Sequence, residues 1–213
     1  MVEMMGVAER RLREKEARKT TILHAAERVF FKSDPDTATM DEVAEAAELS
    51  KGLLYHYFGS KDELVHAIAH KGLLIMQSMF RDVLHSEGNG LSKARGMGEA
   101  YIRFAQQYPD FFRIFTWAET RGHNADTHGE HAESCHLVGD SCIGMVAEAV
   151  QIGIDDGSIR AELNPIETAI TLWAQTHGVI EISERKEMRQ RKMVDVDQLH
   201  RASLDLMQKG LQA

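Results

Sequence analysis

The stretch Thr39-Met40-Asp41-Glu42-Val43-Ala44-Glu45-Ala46-Ala47-Glu48-Leu49-Ser50-Lys51-Gly52-Leu53-Leu54-Tyr55-His56-Tyr57-Phe58-Gly59-Ser60-Lys61-Asp62-Glu63-Leu64 holds three helix starts close together. Thr39 and Glu42 form a capping box: the hydroxyl accepts from a backbone N–H three residues on, and the carboxylate reaches back to the Thr39 N–H. Met40, Val43, Ala44 and Ala47 then supply one apolar face. Ser50 caps a second short helix, Lys51 to Tyr57. Ser60-Lys61-Asp62-Glu63 is another capping box, and it opens a longer helix through Leu64, Ile68, Leu73 and Met76 to about His85. Upstream, Ile22, Ala25, Ala26, Val29 and Phe30 follow the i, i+3, i+4, i+7, i+8 spacing of a buried helical face. Three compact helices, the second and third joined by a tight turn, make a helix-turn-helix unit.

Outward from that unit, almost every segment reads at the helical period. Helices are predicted over Leu91 to Gln107, Pro109 to about Trp117, Glu130 to Asp155, and Pro165 to about Ser183, with a last amphipathic one on Val196, Leu199, Ala202, Leu206 and Met207. On the Glu130 to Asp155 helix, Leu137, Val138, Met145, Val146, Ala149 and Val150 are expected to face inward. The polar, glycine-containing stretch Glu119 to Gly129 reads as a loop. Asn164-Pro165-Ile166-Glu167 is a strong helix start, with Asn as cap and Pro at the first helical position. The expected fold is all-α, about nine helices. A basic flexible arm is expected at 1–16, the helix-turn-helix unit at 17–62, and a further helical domain at 63–213.

Composition narrows the class of function. The chain has 213 residues, 43% apolar and 27% charged, with only three prolines, so long uninterrupted helices are allowed. Two cysteines are too few for a disulfide framework. No unbroken apolar run approaches a membrane span, and the amino terminus has no apolar stretch resembling a signal peptide core, so a cytoplasmic protein with no membrane contact is expected. The net charge of −8 is unevenly spread: residues 1–61 carry ten Lys or Arg and eleven Asp or Glu, leaving the remaining −7 on residues 62–213. Arg10, Arg11, Arg13, Lys15, Arg18 and Lys19 cluster against only Glu14 and Glu16. An acidic total therefore coexists with a local basic face, though charge alone does not point to DNA.

The pattern does. Thr39, Val43, Ala44, Ala47, Ser50, Gly52, Tyr55, Tyr57, Phe58, Ser60, Lys61 and Leu64 stand in register with the DNA-binding signature of the TetR family of transcriptional regulators, which this segment resembles. The phrase Leu172-Trp173-Ala174-Gln175-Thr176-His177-Gly178 is similar to a Trp…His-Gly segment of one subgroup. The resemblance implies a regulator, expected to be a repressor, with double-stranded DNA, a palindromic operator, as partner. Thr39, Ser50, Lys51, Gly52, Leu53, Tyr55, His56, Tyr57 and Lys61 are its candidate DNA-binding residues. Gly52 lets the helix amino terminus approach a phosphate, Lys51 and Lys61 supply charge, and Tyr55 and His56 supply donors. Glu48 stands where the turn between the two helices usually carries Gly, and Leu53 replaces a frequent Thr.

The resemblance also implies an effector cavity in the helices beyond. Seven of the fourteen aromatics fall within Tyr101 to Trp117. Met76, Met97, Phe104, Phe112, Phe115, Trp117, Met145, Trp173 and His177 are the expected walls for a small apolar or aromatic ligand. Homodimerisation is expected through Ile166, Ile170, Trp173, His177, Gly178 and Ile180 on one long helix, with Leu199 and Leu206 on the last. Enzyme chemistry is not expected: there is no G-x-S-x-G, no Gly-rich phosphate loop after a strand and no H-E-x-x-H, and no cofactor is implied. The alternative is a metal- or redox-sensing all-α binding protein using His123, His128, His131, Cys135 and His136, in which His131 and Cys135 share a helix face.

Overall fold

The computed structural model describes residues 2–121, 130–185 and 195–213, and among these it contains nine helices and no strand. They are α1 (Val2–Lys32), α2 (Met40–Ala46), α3 (Lys51–Tyr57), α4 (Lys61–Leu84), α5 (Gly90–Gln107), α6 (Pro109–Arg121), α7 (Glu130–Asp155), α8 (Pro165–Glu184) and α9 (Val196–Leu211). The chain divides by packing into two compact units. One comprises residues 1–71 and 113–135, the other 72–112 and 136–213.

The first unit is built on the apolar faces legible in the sequence. Ile22, Ala25, Ala26 and Phe30 of α1, Val43 of α2, Leu54 of α3, and Leu64 and Ile68 of α4 are all fully buried. One feature differs from expectation. Residues 2–16 are the first half of α1 rather than a separate arm. The turn after α2 is closed by two contacts: the Leu49 N–H donates to Ala44 O (2.9 Å) and the Glu48 N–H to Glu45 O (3.0 Å), a Schellman closure. Its left-handed position is filled by Glu48, at φ 56°, where glycine is the residue that fits without strain.

In the second unit, α5, α8 and α9 pack on one another around Ala100, Phe104, Ala169, Ile180 and Leu204. Gly90 opens α5 against α7: a methyl group placed there would lie 1.9 Å from the Gly153 nitrogen. The Gly90 N–H donates to the Asp156 carboxylate (2.8 Å) and the Leu91 N–H to Ser158 Oγ (3.1 Å), so this junction is closed by side chains from the turn after α7. Asn89 caps α5 and Asn164 caps α8.

On α7 the inward set is shifted from the one expected. Leu137 is 65% exposed and Val138 and Met145 are half-buried, while Ala132, Cys135, Cys142, Val146, Ala149 and Val150 are buried. The expected set mixed two helical phases, and the two cysteines occupy core positions. Measured by mean hydropathy (1.4) rather than by an unbroken run, residues 131–155 are long and apolar enough to cross a membrane by length and composition.

Candidate nucleic-acid interface

The local geometry of α2 and α3 follows from their caps. Thr39 Oγ1 accepts from the Glu42 N–H (3.2 Å), and the Glu42 carboxylate accepts from the Thr39 N–H (2.7 Å) and hydroxyl (2.9 Å). Those bonds hold the Glu42 carboxyl below the usual carboxylate range. Ser50 Oγ accepts from the Leu53 N–H (3.3 Å) and starts α3. Of the seven residues of α3 only Leu54 is buried, and the chain then turns inward at Phe58. Lys51, Gly52, Leu53, Tyr55 and His56 are left exposed, and no atom lies within 4 Å of where a Gly52 side chain would begin. Tyr57 is half-buried, its ring meeting His56 edge-on at 5.5 Å. One helix face thus offers an ammonium, a phenol, an imidazole and an open backbone, the groups that contact phosphates and base edges.

The two lysines expected at this surface have different surroundings. Lys51 is exposed and reaches back to Asp41 on α2 (2.7 Å), whose hydrogen bond and charge raise its pKa. An exposed pair of this kind is worth little and exchanges readily for another anion. Lys61 points into the turn between α1 and α2, donating to the carbonyls of Pro35 (2.8 Å), Asp36 and Ala38 (both 3.3 Å). Its ammonium thus ties three carbonyls of this turn to the start of α4.

Two residues of α6 hold the same turn, and the sequence carried no signal for them. The Arg113 guanidinium donates to Phe30 O (2.9 Å), Phe31 O (3.2 Å) and Ser33 O (3.2 Å), capping the last carbonyls of α1 with a cation at the favourable end of the helix dipole. Trp117 Nε1 donates to Asp36 Oδ1 (3.1 Å). Trp117, expected as an effector-site wall, is therefore occupied at the base of the helix-turn-helix, and Phe115 belongs to the same unit.

The second unit brings three of the expected residues, Phe112, Trp173 and His177, together with Tyr101. His177 lies among Tyr101 (6.2 Å between ring centres), Phe112 (5.7 Å) and Trp173 (5.5 Å). The Tyr101 hydroxyl is 2.7 Å from His177 Nδ1. Burial lowers the His177 pKa, with Glu181 opposing, so the ring is neutral near pH 7. Tyr101, part of the aromatic run but not of the expected walls, is the centre of this group, in contact also with Phe80. Met76, Met97 and Phe104 are buried, Phe104 completely, and Met145 is half-buried. A cavity of about 270 Å³ opens elsewhere, between α5 and α9, beside Arg95, Ile102, Arg103, His200 and Arg201. None of the expected effector-site residues lines it.

On α8 and α9 the exposed residues form stripes. Ile166, Ile170 and Ile182 are 47%, 49% and 42% exposed, with Ala174 exposed and Gly178 half-buried between them; Leu206 on α9 is 67% exposed and Leu199 half-buried. Ile180, expected on that face, is buried in its own unit, two residues from the nearest stripe positions and so on the opposite side of the helix. Ile182 takes its place.

Among the described residues the metal-ligand candidates do not converge. Cys135 donates its thiol to His66 O (3.1 Å), and burial pushes that thiol up to about 12, so it carries no thiolate. His131 stacks on Phe58 (5.9 Å), His136 is exposed, and His66 donates to Asp62 O (2.7 Å). Among the described residues no three His, Cys, Asp or Glu side chains form a group able to hold a metal. His123 and His128 lie outside the described residues.

Comparison with known proteins agrees with this geometry. Residues 22–68 match the family model "Bacterial regulatory proteins, tetR family", and residues 94–207, more than half the chain, match "Tetracyclin repressor-like, C-terminal domain". The transcriptional activator FasR of Mycolicibacterium smegmatis is 30% identical over 100 residues, an overlap of 47% of this chain and 46% of FasR, so the chain spans about half the length of that relative. The transcriptional regulator UidR of Escherichia coli is 36% identical over 170 residues, 80% of this chain and 83% of UidR. The structure of the regulator FadR from Bacillus subtilis in complex with stearoyl-CoA superposes with a TM-score of 0.69, covering 91% of this chain and 99% of FadR at 15% identity, which shows a shared fold. An exposed, glycine-bearing recognition helix on a capped helix-turn-helix and matching models over both parts lead to one conclusion: the chain belongs to the tetR family of bacterial regulatory proteins.

Proposed function

We propose that this protein is a ligand-responsive transcriptional repressor that binds a near-palindromic operator as a homodimer and is released by a small apolar or aromatic effector. The observation that carries the reading is the outward face of α3, where Lys51, Gly52, Leu53, Tyr55 and His56 are exposed together while Leu54 anchors the helix. Ser50, at the amino end of α3, adds a hydroxyl suited to a phosphate, and Thr39 fixes the amino end of α2 through its capping box. In this reading residues 17–62 read the operator, and residues 63–213 hold the effector and the partner copy.

A recognition helix of seven residues reads only a few base pairs, so a specific regulator of this kind needs two of them about one helical turn or a multiple apart. The stripes Ile166, Ile170, Ala174, Gly178 and Ile182 on α8, and Leu199 and Leu206 on α9, supply a self-complementary face for a second copy about a two-fold axis. The group of Tyr101, Phe112, Trp173 and His177 supplies an aromatic wall with one polar anchor for an effector. FadR binds stearoyl-CoA, and long acyl thioesters therefore belong among the probes. Such an effector weakens operator binding only through its differential affinity for the two arrangements, so operator must weaken effector binding by the same factor.

The test begins with operators selected from a random duplex library by the full chain. A palindromic consensus, affinity falling steeply with salt, and its loss in Tyr55→Ala support the reading. Selection of no sequence, or a monomer by light scattering at micromolar concentration, refutes it. A reporter behind the selected operator separates repression from activation, and falling expression on deletion of the protein's gene would reverse the assigned sign.

A further inference from the structure

We infer that the amino-terminal half of α1 is a second DNA-binding element, a rigid basic rod that grips phosphates flanking the sequence read by α3. The inference rests on the proposed DNA-binding function and adds to it a surface outside the helix-turn-helix.

The helix runs without a break from Val2 to Lys32, yet among the residues whose burial is described its buried face begins only at Ile22. Continuity with the packed half fixes the direction of the exposed half, which a flexible arm would not have. At 1.5 Å per residue, Arg11 stands roughly 16 Å beyond Ile22 along the axis. Arg11, Lys15, Arg18 and Lys19 follow the i, i+4, i+7, i+8 spacing of a single face. That spacing continues directly into Ile22, Ala26 and Val29, so the basic stripe lies on the face that, further along, packs onto the helix-turn-helix. Its cations overhang on that side instead of pointing away from it.

The acids of this half lie at the stripe's edge or off it, Glu14 bordering it beside Arg18. Glu14 pairs with Arg10 at 3.2 Å, both side chains well exposed, and Glu9 and Glu16 fall about 100° or more from the centre of the stripe by helical geometry. Arg11, Lys15 and Arg18 are exposed and Lys19 is half-buried. Leu12, at the stripe's edge, is 60% exposed. A stripe of four cations whose nearest acid, Glu14, is paired with Arg10, in a chain whose net charge is −8, is complementary to a polyanion. The polyanion that this unit's recognition helix is shaped for is duplex DNA. Phosphate contacts of this kind add affinity and salt dependence without reading sequence.

The test compares wild type with Arg11→Gln/Lys15→Gln, two substitutions beyond the packed core, on a 30-base-pair duplex of mixed sequence and on the selected operator within the same length. Each lost phosphate contact lowers the slope of log affinity against log salt by about 0.9. The expected result is a slope reduced by about two per protomer on both duplexes, affinity down about tenfold or more at physiological salt, and an unchanged ratio between operator and mixed sequence. Trimming the operator's flanks should remove the difference between the two proteins. Equal slopes overturn the inference, and so does an equal loss on trimmed operator, which would place those residues within the sequence-reading contact. Binding of wild type to phosphatidylglycerol vesicles, lost in the variant while its DNA slope is unchanged, assigns the stripe to a membrane surface and likewise overturns it. In each of these cases wild type still binds its operator and the proposed function stands. Only failure of wild type to bind either duplex brings both down.

Discussion

Glu48 occupies a backbone position that favours glycine, and replacing it should make the protein more stable. Its φ of 56° lies in the left-handed region, where a β-carbon crowds the following carbonyl at a cost of about 1–2 kcal/mol. Glu48→Gly removes that cost. It also loosens the unfolded chain, which takes back about 0.4–1 kcal/mol. The net gain is about 0.5–1 kcal/mol, or roughly 1–4 °C in Tm for a chain of this length. Glu48→Asn should recover part of it, because asparagine tolerates the left-handed region better than most residues. Glu48→Gln keeps the backbone strain and removes only the charge, so its stability should match wild type. The assay needs a reporter confined to the first unit, and the two tryptophans provide one. Trp117, bonded to Asp36, belongs to that unit, so a Trp173→Phe background leaves its fluorescence as the sole signal during urea unfolding. If Glu48→Gln stabilises as much as Glu48→Gly, the effect lies in the acidic charge and the strain argument is wrong. A Glu48→Gly protein less stable than wild type would refute it outright.

Three further outcomes follow from the same geometry. Lys61→Ala should lower the first unit's stability by roughly 1–2 kcal/mol, since three carbonyls of the turn lose an ammonium donor; if instead stability is unchanged and the DNA salt slope falls by about one, Lys61 belongs to the interface. Gly90→Ala should be among the most damaging single substitutions, because the added methyl meets backbone rather than a movable side chain, and recovery of soluble protein with wild-type Tm would contradict that packing. His70, His177 and His200 all have pKa values lowered from 6.5, chiefly by burial. Below about pH 6.5 the unfolded chain then binds more protons than the folded one, so stability is full above that pH and declines as the pH falls toward the folded-state values; urea midpoints at pH 7.5 and 5.5 should show this, with Tyr101→Phe/His177→Phe flattening the difference.

Most of the local structure was legible in the sequence because it depends on neighbours within four residues. Thr39, Ser50 and Asn164 cap the helices they were read to cap, and the spacing of Ile22, Ala25, Ala26 and Phe30 set the buried face of α1. The anomaly at Glu48 was also visible in advance, since a tight turn imposes its dihedral angle whatever residue fills it. The first half of α1 was misread because a polar helix without a buried face has no apolar period to announce it.

By itself the sequence determined the helix starts, the helix-turn-helix and the exposed face of α3, since hydrogen bonds and side-chain periodicity along one short segment specify them. Only the tertiary structure decided which long side chains turn inward. Lys61 and Arg113 both reach carbonyls more than twenty residues away, and no pattern along the chain distinguishes such a cation from one left in water. The same holds for Trp117, tied to Asp36, and for Tyr101, brought to His177 from a helix seventy-six residues earlier. Ile180 and Ile182 are equally apolar, and the phase of α8 against its neighbours alone buries the first and exposes the second. Caps and periods are local energies, whereas the fate of a flexible or ambivalent side chain depends on what the fold sets opposite it.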